Sequence, residues 1–204
     1  MTDTLFDGDF AVTARVLGAL FYYPPGSEQM KPVIDAFRSG DWQAQWPLAQ
    51  DALIPLTRGF AAPCDEPLET AWQRLFIGPA ALPAPPWGSV WLDRENVLFG
   101  DSTLALRQWM RENQIAWETA HNEPEDHFGT LLMLAAWLAE NKDYAACNAL
   151  LAWHLLPWSG RFLEVFCQHA DHPFWQSAGL LAQQTLADWR SRLVMPVAEK
   201  TLWR

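Results

Sequence analysis

The chain is short of lysine, of cysteine and of charge altogether. Three lysines stand among fourteen basic residues, which face twenty-four acidic ones for a net charge of −10. Nucleic acid and anionic membrane surfaces want a basic stripe, so both are excluded as ligands and a cationic partner is favoured. Cys64, Cys147 and Cys167 are odd in number and form no C-x-x-C pair. That spacing suits neither a disulfide framework nor a zinc site, and the bland reading is buried reduced thiols. No apolar run reaches the length that crosses a bilayer. Met1 to Phe10 is acidic and lacks the basic-then-apolar order of a secretory signal, which points to the cytoplasm. G-x-S-x-G, P-loop and H-E-x-x-H patterns are missing, and with them the common signatures of hydrolases, nucleotide binders and zinc peptidases. No hairpin dipeptide or alternating run supports a sheet, and no repeat or low-complexity tract stands out.

What the chain does have is apolar mass and tryptophan. At 204 residues, half of them apolar, it buries roughly 70% of its unfolded surface and folds without staples. One domain over 1–204 is expected. Thirteen tryptophans exceed the needs of core filling, and tryptophan is the residue most enriched at binding hot spots. The segment Pro79–Trp91 concentrates both themes, with four prolines, Trp87 and Trp91. Proline at that density rules out helix and central strand. A rigid aromatic loop is therefore expected, better suited to holding another molecule than to catalysis.

The rest reads as helix, about nine or ten in all. Phe10, Val12, Val16, Leu17, Leu20 and Phe21 form one face behind Asp9, and Pro24-Pro25 ends the segment. A short helix from Ser27 to Gly40 follows, then one after Asp51. Trp72, Leu75 and Phe76 share a face in a helix over 67–76. Asp101-Ser102 reads as a cap for a helix through Glu112. Asn113–Asn122 reads as a connection, and a long helix is expected from Pro124 to about Glu140. Three more fit Tyr144–Leu155, Ser159–Ala170 and Pro173–Leu193, the last strongly amphipathic.

Between Arg111 and Lys142 there is no cation, while Glu112, Glu118, Glu123, Glu125, Asp126 and Glu140 all fall inside. Acids in a first helical turn complement the macrodipole, with Pro124 at the first position. The second reading is a set of carboxylates that receives a cation, and arginine's fork suits paired carboxylates. His127 reads as a partly buried, hydrogen-bonded histidine. Metal sets can be drawn from His121, Glu123 and His127, or from His169 and His172, but no zinc partner motif accompanies them, and no metal is expected. Trp72, Leu75 and Phe76 serve either a core or, with Trp87 and Trp91, an apolar groove for a peptide.

Taken together, Trp72-x-x-Leu75-Phe76-x-Gly78-Pro79, Pro85-Pro86-Trp87-Gly88-Ser89-Val90-Trp91, Gly100-Asp101-Ser102 and Glu123-Pro124-x-Asp126-His127 closely resemble the TorD/DmsD family, nearest its DmsD branch. The resemblance runs over essentially the whole chain. It implies an all-α, TorD-like helical bundle around a Pro/Trp-rich central loop. It implies a cytoplasmic chaperone, not an enzyme, that binds the twin-arginine leader of a molybdoenzyme catalytic subunit, that of dimethyl sulfoxide reductase. Export through the twin-arginine (Tat) translocase waits until folding and cofactor insertion are complete, with translocase components as further candidate partners.

By that resemblance Trp72, Leu75, Phe76, Pro86, Trp87, Trp91, Gly100, Glu123, Asp126 and His127 form the leader site. Close relatives carry an aromatic where this chain has Ala80. Glu123 and Asp126 are expected to receive leader guanidinium groups, and Trp72, Leu75, Phe76 and Trp87 to pack on its apolar segment. The alternatives are a guanine-nucleotide-dependent chaperone with weak GTP binding, for which no phosphate loop exists, and a small hydrolase using Asp126 and His127 with Ser89 or Ser102. A monomer is expected, with a swapped dimer hinged at Asn113–Asn122 as the alternative.

Overall fold

The structure, a computed structural model, describes residues 5–6, 8–117 and 123–204. Among them are ten α-helical segments and no strand. In chain order they are α1 (Gly8–Tyr22), α2 (Lys31–Ser39), α3 (Gln50–Ala61), α4 (Leu68–Trp72), α5 (Gly88–Leu92), α6 (Asp101–Glu112), α7 (Phe128–Glu140), α8 (Tyr144–Ala149), α9 (Leu156–His169) and α10 (Pro173–Arg192). The all-α expectation holds. Two helices widen where the periodicity reads as plain α-helix: α4 runs on as a π-helical turn over Gln73–Ile77, and α8 does so over Leu150–Leu155.

α7 is the hub. It reads Phe-Gly-Thr-Leu-Leu-Met-Leu-Ala-Ala-Trp-Leu, apolar on every side, and a helix apolar all round belongs in an interior. Phe128, Leu131, Leu132, Leu134, Ala135 and Leu138 are all buried. Phe128 joins Phe21, Phe162, Phe166 and Phe76 in a run of edge-on and tilted ring contacts at 4.9–6.2 Å.

The partner of α7 is α1, which lies against it backbone to backbone. A β-carbon on Gly18 would stand 2.8 Å from the Gly129 carbonyl oxygen, and one on Gly129 would stand 2.6 Å from that of Gly18. Only paired glycines allow this approach. The crossing sets Tyr22, the last residue of α1, beside His127, the residue before α7.

α2 begins at Lys31 and not at Ser27, α9 at Leu156 and not at Ser159, and three further differences from the sequence reading bear on the site. α7 begins at Phe128, not Pro124, because His127 has extended backbone and caps the helix: its Nδ1 accepts the Gly129 N–H at 3.0 Å. The acids at 123–126 therefore precede the helix instead of filling its first turn. The proline segment is not loop throughout, since the prolines stop at Pro86 and the free stretch Gly88–Leu92 winds into α5, taking Trp91 with it. At α6, Gly100 is the capping position and the capping carboxylate comes from Asp93, which accepts from the Ser102 N–H at 3.2 Å and the Ser102 hydroxyl at 2.7 Å. Of the Asn113–Asn122 hinge, 118–122 lie outside the described residues. No helix among the described residues is long and apolar enough to cross a membrane.

Candidate functional site

The proline segment and the acidic segment are tied directly to each other. The Phe128 N–H donates to Pro86 O at 2.7 Å, the Gly88 N–H donates to Asp126 O at 3.0 Å, and Trp87 and His127 face each other as an isolated antiparallel bridge. The pairing ends where α5 begins on one side and α7 on the other, so two helix starts hold it in place.

Asp126 is the pin. Its Oδ2 accepts the Ser89 N–H at 2.6 Å and the Thr103 hydroxyl at 3.1 Å, joining α5, α6 and the acidic segment. The residue is buried, and burial pushes its carboxyl above the usual carboxylate range, opposed by the hydrogen bonds from Ser89 and Thr103. A buried carboxylate served by neutral donors is a positioning group here: it fixes Gly88 and Ser89, and so the direction in which Trp87 points.

Trp87 is half-buried. Its Nε1 donates to Glu123 Oε1 at 2.5 Å, and its ring lies edge-on to His127 with centroids 5.7 Å apart. The other edge contact of His127 is with Tyr22, at 5.2 Å. Burial holds the His127 imidazole down at about 3, so it is neutral at physiological pH and its Nδ1 remains an acceptor for the cap.

On the other side, Glu125 accepts from Arg107 Nε at 2.8 Å, and the Arg107 guanidinium lies 5.2 Å from the Phe99 ring centroid. Two short series result, Phe99–Arg107–Glu125 and Glu123–Trp87–His127–Tyr22, whose carboxylates lie two residues apart in the chain. Each series sets a carboxylate within reach of an aromatic ring.

The ten residues read from the sequence divide by exposure. Trp87, Glu123 and Gly100 are half-buried, while Trp72, Leu75, Phe76, Pro86, Trp91, Asp126 and His127 are buried. Trp91 is sealed completely, its Nε1 donating to Pro85 O at 2.8 Å, so it holds the loop to the core. Trp72 and Phe76 are neighbours, with rings 6.1 Å apart, and Phe76 also packs on Phe166 and Trp175. Gly100 is spaced by Asp93, whose Oδ2 would lie 2.2 Å from any β-carbon there. Ala80 is exposed.

Four participants were not visible in the sequence. Tyr22 reads only as a helix end, and Asp93 only as a loop acid. Arg107 precedes the cation-free stretch and reaches it through the fold. The fourth is a strap over 198–204. Ala198 and Trp203 donate backbone N–H bonds to Ala152 O and Trp91 O at 2.9 Å, and Arg204 donates to Leu82 O and Pro83 O at 3.1 and 3.3 Å. No periodicity marks such an extended run.

Of the hydrolase alternative's two serines, Ser89 is fully buried. The Ser102 hydroxyl is given to Asp93, and the cavity between Asp126, Ser102, His154 and Lys200 measures about 10 Å³, room for one water at most. His169 Nδ1 lies 2.9 Å from Val165 O, and His172 Nδ1 caps α10 by accepting the Phe174 N–H.

Against known proteins, residues 38–164 match the family model described as nitrate reductase delta subunit. Over 204 residues, all of both chains, the sequence is 64% identical to the Tat proofreading chaperone DmsD of Salmonella typhimurium. It is 38% identical over 196 residues to the probable Tat proofreading chaperone DmsD of Haemophilus influenzae, 95% of this chain and 96% of the other. It is 33% identical over 183 residues to the chaperone protein YcdY of Escherichia coli, 88% of this chain and 92% of that one.

Proposed function

We propose a function for a chain that belongs to the TorD/DmsD family, several of whose members are named chaperones: it binds the twin-arginine leader of a molybdoenzyme catalytic subunit. The substrate is the dimethyl sulfoxide reductase precursor, held in the cytoplasm and kept from the translocase until it is folded and loaded. The chain acts as one domain and a monomer, and the proposal needs neither metal nor nucleotide.

The observation that supports this best is the Trp87–Glu123 pair. A half-buried indole and a carboxylate share one bond on one surface, next to the Tyr22 and His127 rings. A guanidinium flanked by apolar side chains is complementary to that pattern, since it pairs with carboxylates in a fork and stacks on aromatic faces. Glu125 already holds a guanidinium of the chain's own, that of Arg107, against Phe99. The leader arginines sit at Glu123 and the rings of Trp87 and Tyr22. Asp126, Trp91, Pro86, Gly100, Leu75 and Phe76 position that surface without touching the ligand.

Co-purification tests the reading. The tagged chain expressed with the dimethyl sulfoxide reductase precursor should retain it, and Trp87→Ala should lose it. Equal recovery with both would refute the assignment.

A further inference from the structure

A concavity lined by none of the site residues described so far lies elsewhere on the chain. It is a groove of about 700 Å³ between the first half of α1 and α2, closed at one side by the stretch after α2. Val12 and Val16 of α1 face Pro32, Val33 and Phe37 of α2, and Trp42 and Trp46 complete the wall. The volume is in the range of small-ligand and peptide-segment sites. Val12 is 62% exposed and adds to the apolar part of a lining that is mostly, though not wholly, apolar.

Charge narrows the occupant. The ionisable side chains in the lining are Asp9 and Asp41, and no basic residue among the described residues lines it. Both carboxylates are exposed, so neither is consumed by the core. The groove therefore fits an apolar segment with a basic residue beside it, and disfavours an acidic one.

The groove also points toward the Trp87 surface. Val12, Val16 and Ala19 fall at i, i+4 and i+7, one stripe along α1, and Tyr23 follows just past its end with its N–H still donating to Ala19 O. Tyr23 meets Tyr22 with ring centroids 5.0 Å apart, and Tyr22 meets His127. From Asp9 to Tyr22 the helix rises about 20 Å, which an extended peptide covers in roughly six residues.

We propose that the α1–α2 groove receives the apolar segment of the same leader whose arginines sit at Trp87 and Glu123, with a basic residue beyond that segment placed at Asp9 and Asp41. The inference rests on the leader-binding reading but uses residues that reading does not.

Two synthetic peptides test it by calorimetry: a twin-arginine leader, and the same peptide cut short after the arginine pair. Val12→Arg adds bulk and positive charge at an exposed position and leaves the core untouched. It should weaken the full peptide at least tenfold and leave the truncated one unchanged. Asp9→Asn with Asp41→Asn should weaken the full peptide about threefold at low salt and flatten its salt dependence. Methyl resonances of Val12, Val16 and Val33 should shift with the full peptide alone.

Unchanged affinity in Val12→Arg with silent methyls would overturn the groove assignment while leaving the Trp87 surface standing. If neither peptide binds the parent chain, both proposals fall. If Val12→Arg instead changes the sedimentation of the free protein, the groove is a self-association face and the proposal is wrong.

Discussion

Trp87 and Glu123, thirty-six residues apart, are joined by an indole–carboxylate hydrogen bond of 2.5 Å. The pair puts the apolar and the anionic element of the surface on the same few ångströms, held by the Asp126 pin beneath. Trp87→Ala is expected to weaken a twin-arginine leader peptide by about 2 kcal/mol, roughly thirtyfold. Trp87→Phe keeps a ring and loses the bond to Glu123, so it should fall between the two in calorimetry. Because Trp87 is half-buried, its thermal midpoint should move little in either variant.

Asp126 should behave differently. Asp126→Ala leaves the Ser89 N–H and the Thr103 hydroxyl without their acceptor, a cost of about 2–4 kcal/mol. Asp126→Asn keeps an acceptor oxygen in place, and burial already favours the neutral form of the side chain. The asparagine variant should retain most of the stability in urea denaturation and most of the peptide affinity. An asparagine variant that folds normally yet loses binding would mean that the carboxylate faces the ligand directly.

Much of this was legible in the residues. The α-helical period of 101–112 and 173–192 predicted those helices to within a residue. That Trp87 and the acidic segment belong to one site was implied by the family resemblance, while the two motifs read separately as rigid and as anionic. What periodicity cannot register is non-local pairing. His127 looks like a helix residue until its Nδ1 is seen to cap, and Asp126 looks like a first-turn acid until Ser89 and Thr103 arrive from elsewhere. Trp91 reads like its neighbour Trp87, but α5 turns it inward. The α1–α2 groove left no signal either, because Val12 and Val16 count equally toward a core face.

Acid should destabilise the fold through its histidines. His127 is held down at about 3 by burial, and His154 at about 4 by burial and by the neighbouring Lys200. In the unfolded chain both titrate near 6.5. Between about pH 6.5 and 4 the unfolded state therefore binds more protons, and stability falls with pH by up to about 1.4 kcal/mol per pH unit for each histidine. Asp126 opposes this in part, since its raised value lets the folded state take a proton first. His127→Asn keeps a capping acceptor and removes one titration, so its urea midpoint should decline less steeply over the same range.

The glycine crossing gives a stability prediction with an internal control. Gly129→Ala drives a methyl into Gly18 O and the Tyr22 side chain, at 2.6 and 2.9 Å, and should cost about 1–3 kcal/mol. It should also disturb Tyr22 and weaken peptide binding. Gly160 in α9 has nothing within 4 Å of a β-carbon, so Gly160→Ala should stabilise by up to about 1 kcal/mol. Equal effects of the two substitutions would contradict the close packing of α1 on α7.

Calorimetric titration with a twin-arginine leader peptide and its twin-lysine counterpart tests the central claim most directly. The lysine pair preserves charge but cannot fork onto a carboxylate or stack flat on an indole. At least tenfold weaker binding of the twin-lysine peptide is expected, with that preference lost in a Trp87→Ala, Glu123→Gln double variant. Equal affinity for the two peptides would contradict the account.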